Sequence, residues 1–552
     1  MVAASTTDRW VYGPAWDLLV GCGLWYVLAL IVFSFAGEAI RSGGAMVVLP
    51  FAVLVFGTPH YGATVLRVYE RREDRRGYAL FAVHASIALA LAFAAGVHIA
   101  WVGSLIVTVY ITWSPWHYSG QNYGLAVMFL RRRGVGLDKI TKRWLYASFT
   151  LSYALTFLAL HSGGQAGHFA PISVDRVNYQ FMRIGFPSEI SNIALGVVAL
   201  AYALALVVSG ARLARRGSLR DLVPTAALAL VQASWFSIPL LLRNFAVGTS
   251  IEPLESSYGS YYFLWIAIGH SIQYLWITSY YAHGETDWTG QSRYFAKAML
   301  AGAAIWTVPT LIFAPGLLGR LPYDGGFAVL AASIVNIHHF VLDGAIWKLR
   351  DGRVARMLLR NRSDASEAGA APVRRRRWGR RFVWAIGGLS FAIMFFSKWQ
   401  SDVVIRAAWG RGDTAQITRA ANELAWVGRD SAKIRRRLGD ELAVRNNLEG
   451  ALRQYHRANA IRPTVSTWFK IAKLHVGEKN WSEAIDAYDA ALLINPDEEN
   501  VLYEMGLARL EIRDLEGAEA AFEHAVRINP KRAINQTLLE RTKSLIRAAG
   551  DS

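Results

Sequence analysis

The sequence predicts an all-helical chain in two parts: a polytopic membrane helix bundle over residues 1–397 and a water-soluble helical-repeat solenoid over 398–552. Three observations carry this. Of 552 residues, 53% are hydrophobic and only 18% charged, where a soluble protein is about a quarter charged. The deficit is uneven. From Lys398 onward 24 Lys/Arg stand against 22 Asp/Glu, whereas the first 397 residues hold 35 basic and 19 acidic residues. That first part also carries repeated apolar runs of about 20 residues, the length of a bilayer-crossing helix. A single soluble globule is excluded.

Eleven spans are expected, at roughly 16–36, 45–66, 78–100, 103–130, 144–161, 189–210, 222–242, 259–282, 298–317, 325–347 and 382–397. Trp16–Ala36 is too long for the apolar core of a signal peptide and lacks a basic stretch before it, so it reads as a retained helix. Alternate loops, Arg67–Arg76, Arg131–Arg143, Arg212–Arg220, Arg293–Lys297 and Lys348–Arg381, contain 29 Lys/Arg. The opposite loops contain Arg41, Arg176, Arg183, Arg243 and Arg320. Cationic loops stay cytoplasmic. This bias places the N-terminus in the cytoplasm of an inner membrane and the solenoid on the outer, periplasmic side. The run Arg374–Arg377 holds the entry of the eleventh span inside. The net charge of +18 is explained by these loops, which argues against a nucleic-acid partner. Cys22 stands alone, so no internal disulfide and no thiolate metal site is available.

The soluble part repeats. Pro463, Pro496 and Pro530 recur at 33 and 34 residues, each after Ile-Arg or Ile-Asn. Twelve positions before each stand Ala451, Ala484 and Ala518; eight before, Tyr455, Tyr488 and Phe522; five before, Ala458, Ala491 and Ala525. Gly439 and Gly506 share a further place, where the middle repeat has Ala472. Small residues let paired helices approach, the aromatic fills the wedge, and proline ends the second helix. This pattern, over about 432–531, resembles the tetratricopeptide repeat, with repeats at about 432–463, 465–496 and 499–530. The resemblance implies a groove that binds a partner protein, with flanking helices in 398–431 and 532–552. His456, His475 and His524 read as surface or packing residues.

Ionisable groups inside a membrane are costly, so each is a functional candidate. The fourth span places His117 and Gln121 four residues apart; the eighth places His270 beside Gln273 and Tyr274. The tenth contains Asn336, His338, His339 and Asp343, with His339 and Asp343 on one face and His338 about 100° round the helix. The second adds His60 after Pro59, which, like Pro115 before His117, can bend its helix. Spans two, four, eight and ten run in one direction. Their histidines lie 7, 14, 13 and 9 residues before the basic boundary, roughly 10–21 Å deep at 1.5 Å per residue. His60, His117, His270, His338, His339 and Asp343 are therefore the expected metal ligands. Gln121, Gln273, Asn336 and Tyr274 are expected to orient them, and His84 and His283 are possible extra ligands. His98, His161 and His168 fall at or beyond the outer boundary, where interfacial roles are expected.

A nitrogen and oxygen donor set without thiolate suits iron, copper or zinc. The expectation is a metal-dependent oxidoreductase, with non-haem iron favoured and haem or copper as alternatives, acting on a lipid or other apolar molecule. The adjacent His338-His339 pair is similar to the histidine boxes of membrane desaturases, hydroxylases and alkane monooxygenases, which implies non-haem iron. Those families carry several such boxes, and here no HxxxH box accompanies the pair. The haem–copper oxidases share an adjacent pair, but their His-x-His feature is missing. Two further readings stand beside these. A membrane acyltransferase would use His117 or His270 as a base, and a repeat scaffold would use the membrane part only as an anchor.

Overall fold

The computed structural model describes residues 9–35, 51–70, 77–162, 179, 181–245, 256–284, 288, 290–314, 317–319, 323, 326–347 and 377–550. Arg41, Arg71–Arg76, Arg176, Arg320, Lys348–Arg376 and His168, and the start of the second expected span, lie outside the described residues, as do the side chains of Arg243, Tyr258, Tyr261, Tyr262 and Arg377. Among the described residues every regular element is helical, apart from one isolated bridge between Ser162 and Phe186. The chain divides into two compact units, Met1–Leu321 with Gly326–Lys398, and Pro322–Gly325 with Trp399–Ser552.

The first unit opens on a bent pair. Pro14–Gly21 and Leu24–Val32 meet at 67°, and Gly23 at the corner has φ +79°, a conformation only glycine adopts without strain. Buried Asp17 fixes the entry by accepting from the Val11 and Tyr12 amides at 2.6 and 3.0 Å. The helices that follow are α1 (Leu24–Phe35), α2 (Thr58–Tyr69), α3 (Ser86–His98), α4 (Ala100–Arg132), α5 (Lys139–His161), α6 (Ser188–Ala214), α7 (Leu219–Gln232), α8 (Ser256–His283), α9 (Gln291–Ile312), α10 (Phe327–Ile346) and α11 (Arg377–Lys398). Wide π-helical turns, Val53–Gly57 and Leu80–Ala85, lead into α2 and α3, and another, Ala233–Ser237, follows α7. Local chemistry sets the starts: Asp138 accepts from the Thr141 amide to cap α5, and Ser218 with Asp221 forms a capping box on α7.

Among the described residues six stretches are long and apolar enough to cross a membrane: Leu80–His98, Ser188–Ala214, Leu219–Leu241, Gln291–Ile312, Phe327–Ile346 and Arg381–Arg411; the bent pair makes a possible seventh. Two of the eleven expected spans fall short of this measure for a chemical reason, and the second span begins outside the described residues. Helices α4 and α8 have 33 and 28 residues, but His117, Gln121 and Asn122 on one and His270 and Gln273 on the other dilute their apolar content. Helix α10 is central, with 72% of its most apolar window buried against 22% for α6. It packs on α2, α3, α4 and α9, and α2 packs on α8 and α9.

The α2–α9 contact is made backbone to backbone. A Cβ at Gly62 would overlap the Ala298 carbonyl and the Gly302 nitrogen, and one at Gly302 would overlap the Thr58 carbonyl. Pro59 stands in the first turn of α2, directly after the wide turn Val53–Gly57, and Pro115 lies inside the continuous helix α4.

The second unit stacks α12 (Arg406–Arg411), α13 (Thr414–Trp426) and three helix pairs, α14 (Ala432–Val444) with α15 (Leu448–Ile461), α16 (Val465–Gly477) with α17 (Trp481–Leu492), and α18 (Glu499–Glu511) with α19 (Leu515–Ile528), before α20 (Ala533–Gly550). The repeat chemistry packs as its spacing requires. A Cβ at Gly439 would meet the Tyr455 ring at 2.5 Å, and one at Gly506 the Phe522 ring at 2.6 Å. Ala472 and Tyr488 occupy the matching places, both fully buried.

Each pair turns through a left-handed residue, Asn446, Lys479 or Arg513, all with φ 59°. An L side chain there costs about 1–2 kcal/mol, partly offset by the greater freedom glycine has when unfolded. Lys479→Gly and Arg513→Gly are each expected to raise the stability of this unit by about 0.5–1 kcal/mol. A chemical-denaturation midpoint that does not rise in either variant would contradict this.

One carboxylate ties the start of α20 to α18. Glu499 accepts from Asn529, Arg532 and Asn535 at 3.0, 3.0 and 2.8 Å. These hydrogen bonds, Asn529 first, then Arg532 and Asn535, hold its carboxyl below the usual range. A lowered folded-state pKa contributes stability above the unfolded value, about 4.3 for Glu, and that contribution is lost as pH falls through the folded value. Hydrogen exchange corrected for its intrinsic pH dependence should therefore accelerate in α20 below about pH 4, and Glu499→Gln should remove the pH dependence.

Candidate metal centre

Four helices each contribute one imidazole to a common cluster: His60 from α2, His117 from α4, His270 from α8 and His339 from α10. The His60 ring centroid lies 4.2 Å from that of His339 and 4.8 Å from that of His270. The His117 ring lies 4.9 Å from His270 and 5.0 Å from His339. His60, His270 and His339 are 1%, 1% and 2% exposed. Asp343, one turn beyond His339 on α10, places Oδ2 3.8 Å from Nε2 of both His117 and His339. Two sets of donor atoms, His60/His270/His339 and His117/His339/Asp343, each fall within 4.8 Å of one another. His339 belongs to both.

Most of the cluster's ring nitrogens find no protein partner. His60 Nδ1, His117 Nε2, both nitrogens of His270 and His339 Nε2 are buried without a hydrogen bond. A buried polar atom left in that condition costs about 1–3 kcal/mol, so five of them concentrated at one point are expensive as mere packing.

The fifth candidate donor, the Asp343 carboxylate, is held by hydrogen bonds. Tyr274 donates to Asp343 Oδ1 at 2.5 Å, and Trp347 Nε1 donates to the same oxygen at 3.1 Å. Thr64 Oγ1 lies 2.6 Å from the Tyr274 hydroxyl, 3.4 Å from Asp343 Oδ1 and 2.9 Å from His339 Nδ1. With Tyr274 donating to Asp343, the single Thr64 proton points to Tyr274 or Asp343. The threonine oxygen then accepts from His339 Nδ1–H, which leaves the Nε2 lone pair facing Asp343 Oδ2. This is the tautomer a metal requires, fixed from behind by a hydrogen bond.

The expected orienting residues divide. Tyr274 touches the cluster directly, with its ring 4.5 Å from His60. Gln121 donates to the His270 carbonyl at 3.3 Å and to Gln273 Oε1 at 3.2 Å, joining α4 to α8 behind the rings. Asn336 accepts from Tyr61 at 2.7 Å, one turn away from His339.

Three expected ligands are not brought to the cluster. His338 leaves α10 on another side and bonds Ser86 at 2.9 Å and Tyr69 at 3.4 Å, as the 100° rotation from His339 dictates. His84 is exposed on the turn before α3, with Nδ1 3.2 Å from its own Ala79 carbonyl. His283 lies against the Trp288 ring at 5.1 Å. His161 has a structural part: it accepts from the Ile184 amide and bonds Thr112 at 3.0 Å.

Thr64 and Trp347 were not identified from the sequence, although each stands four residues after a site residue, His60 and Asp343, on the same helix face. A second buried network joins amides and hydroxyls of three helices. Asn122 donates to Gln232 at 2.9 Å, and Gln232 donates to Ser119 at 2.7 Å and Ser152 at 3.3 Å. It fastens α4, α5 and α7 together beside the cluster.

Residues 499–532 match the tetratricopeptide repeat family. No curated protein matches the chain. Among solved structures, the "Crystal structure of APC/C hetero-tetramer Cut9-Hcn1" aligns at 11% identity over 94% of this chain and 98% of that one, with a TM-score of 0.20.

Proposed function

We propose that the first unit is an integral membrane metalloenzyme, an oxidase, desaturase or hydroxylase of a lipid-like or other apolar substrate, whose repeat unit recruits a partner protein. The observation that carries this reading is the convergence of unpartnered buried imidazole nitrogens from four helices beside a carboxylate oxygen. Such a donor set fits a bare ion better than haem, because the His60 and His117 rings each pack within 5.0 Å of both the His270 and His339 rings, which leaves no slot for a macrocycle. Non-haem iron is the favoured ion; copper and zinc accept the same donors. His117, His339 and Asp343 would hold it, with His60 and His270 completing the set, and the ion would supply redox chemistry at an otherwise apolar site.

The chain's own residues do the rest. Phe340 stacks on His117 at 4.4 Å and Tyr118 covers His270 at 4.2 Å, which keeps bulk water from the donors. The apolar stretches and basic loops support membrane insertion, with the N-terminus cytoplasmic, eleven spans, and the repeats periplasmic. Iron should co-purify near one equivalent per chain, or be taken up on anaerobic reconstitution, and His270→Ala should reduce it sharply while the repeat unit stays folded. Wild-type protein that neither carries nor takes up iron, copper or zinc would sink the proposal.

One observation favours a second reading. The matched repeat at 499–532 belongs to an architecture that presents concave protein-binding surfaces, so the chain can also serve as a scaffold. Under that reading, deletion of residues 398–552 removes all function while every membrane histidine tolerates replacement.

A further inference from the structure

We propose that the first unit carries a second ligand site, a cavity of about 470 Å³ between the bent N-terminal pair, the wide turn Val53–Gly57, α8 and α9. Its ligand is an uncharged flat ring bearing an apolar tail, the chemical class of the prenylated quinones. The site stands on its own residues, whether or not the histidine cluster holds an ion.

The helix that supplies His270 also supplies one wall of this cavity. At 3.6 residues per turn, Ile272 and Ser279 stand about 160–180° round α8 from His270. Leu275 and Trp276 flank them, and the four form an i, i+3, i+4, i+7 stripe turned away from the imidazoles. Opposite this stripe, Trp16 and Val20 come from the bent pair, Phe56 from the wide turn before α2, and Gln291 from the start of α9. The volume is that of a small-molecule site, about 300–1,000 Å³. At about 30 Å³ for the share of one water, it admits on the order of fifteen heavy atoms, enough for a substituted ring and the first part of a tail. Trp16, 65% exposed, stands at the rim.

The lining identifies the ligand. Tyr12, Trp16, Phe56, Trp276, Tyr294 and Phe295, six of the eleven lining residues, are aromatic. Ring faces favour a flat guest that can stack on them, whereas an acyl chain needs only aliphatic walls. Among the described lining residues none is charged, so no side chain there balances a phosphate or carboxylate headgroup. The polar groups are neutral. Ser279 donates to the Trp276 carbonyl at 3.0 Å, so across 2.9 Å it accepts from the Tyr12 hydroxyl. Tyr12 is fixed in turn by edge contacts with the Trp276 and Tyr280 rings at 6.3 and 5.8 Å. Both hydroxyl protons are thereby committed, and the pair serves as an acceptor. Gln291, exposed at the first position of α9, supplies amide N–H donors. An acceptor pair and a donor amide in an uncharged, aromatic-walled cavity match a ring that carries oxygen as hydroxyl or carbonyl.

The test uses the full chain in detergent, incubated with a decyl-substituted benzoquinone or with decanol, and native mass spectrometry reads the bound fraction of each. One equivalent of the quinone is expected to bind, with decanol weaker by about tenfold or more. Val20→Trp, which fills the cavity, should weaken quinone binding by about tenfold or more. Gln291→Leu, at an exposed position, should weaken it by about 2–10-fold, the worth of one neutral hydrogen bond. Leu200→Trp, on a 69% exposed position of α6, should leave it unchanged. If Val20→Trp does not fold, Gln291→Leu decides: weaker binding supports the site and unchanged binding overturns it. A wild-type chain that binds no quinone, or quinone held undiminished in Val20→Trp, overturns the site. Decanol bound as tightly as the quinone overturns the ring class. Metal content, read on the same samples, should be the same in all variants; a metal-free chain that binds the quinone overturns the metal centre and supports this site.

Discussion

His339→Ala is expected to leave the protein without bound metal, while Thr64→Ala weakens metal binding by about 10–100-fold. His339 is the donor common to both candidate sets, so its removal reduces each to two donors at once. Thr64 touches no candidate ion. It holds the proton on Nδ1 of His339 and so keeps Nε2 free; without it the ring can rotate or take the other tautomer. Elemental analysis after equilibrium dialysis reads both effects, and the thermal transition of the repeat unit serves as the folding control. Stoichiometric metal in His339→Ala would refute the assignment, and equal affinity in Thr64→Ala would refute the orienting role.

The second large effect lies in the repeat unit. Arg435→Ala is expected to cost about 3–5 kcal/mol, the range for breaking a buried ion pair by removing one partner. Arg435 is 0% exposed, and all five of its N–H groups are used. Nε and Nη2 bind Asp430 at 2.8 and 3.0 Å; Nη1 binds Asn422 at 3.0 Å and Gln454 at 3.1 Å; Nη2 also binds the Ala421 carbonyl at 2.9 Å. Removing the guanidinium takes a donor from four acceptor groups, of which Asn422 keeps Arg457 and Asp430 keeps the Ser431 amide, while Gln454 Oε1 loses the donor that Arg435 supplies. The Asp430 side chain is partly solvated, which places the effect toward the lower end. At roughly 2–4 °C per kcal/mol for a unit of this size, the repeat transition should fall by roughly 6–16 °C. Arg435→Lys should recover little, because an ammonium cannot reproduce the planar fork. A shift below about 2 °C would contradict this account.

Arg435 also marks where sequence reading stopped. It sits in Arg435-Arg436-Arg437, a run that resembles any solvated helix face, and burial of its first member depends on acceptors brought in from α13 and α15. The repeat itself was legible, because proline, the small residues and the aromatic act within one 34-residue unit and recur in register. For the centre, depth was legible and neighbourhood was not. Counting residues from the basic loops puts the four histidines at similar levels, but which helices adjoin is decided by packing far along the chain. His338 and His339 show the limit in the opposite sense: rotation by one residue was known, but not which of the two would face α2 and α4. Thr64 and Trp347 were within reach, since an i, i+4 search outward from each site residue finds them.

The glycine seam between α2 and α9 bears on how accurately the centre can be built. Most helix contacts have a layer of side chains that absorbs small errors by changing rotamer. Where Gly62 and Gly302 meet there is no such layer, so α2 has no compliance in the direction of α9. His60, two residues before Gly62, inherits that stiffness. Its ring has a fixed datum against which the donors on α4, α8 and α10 are set, and any shift of α2 is transmitted undamped to one corner of the centre.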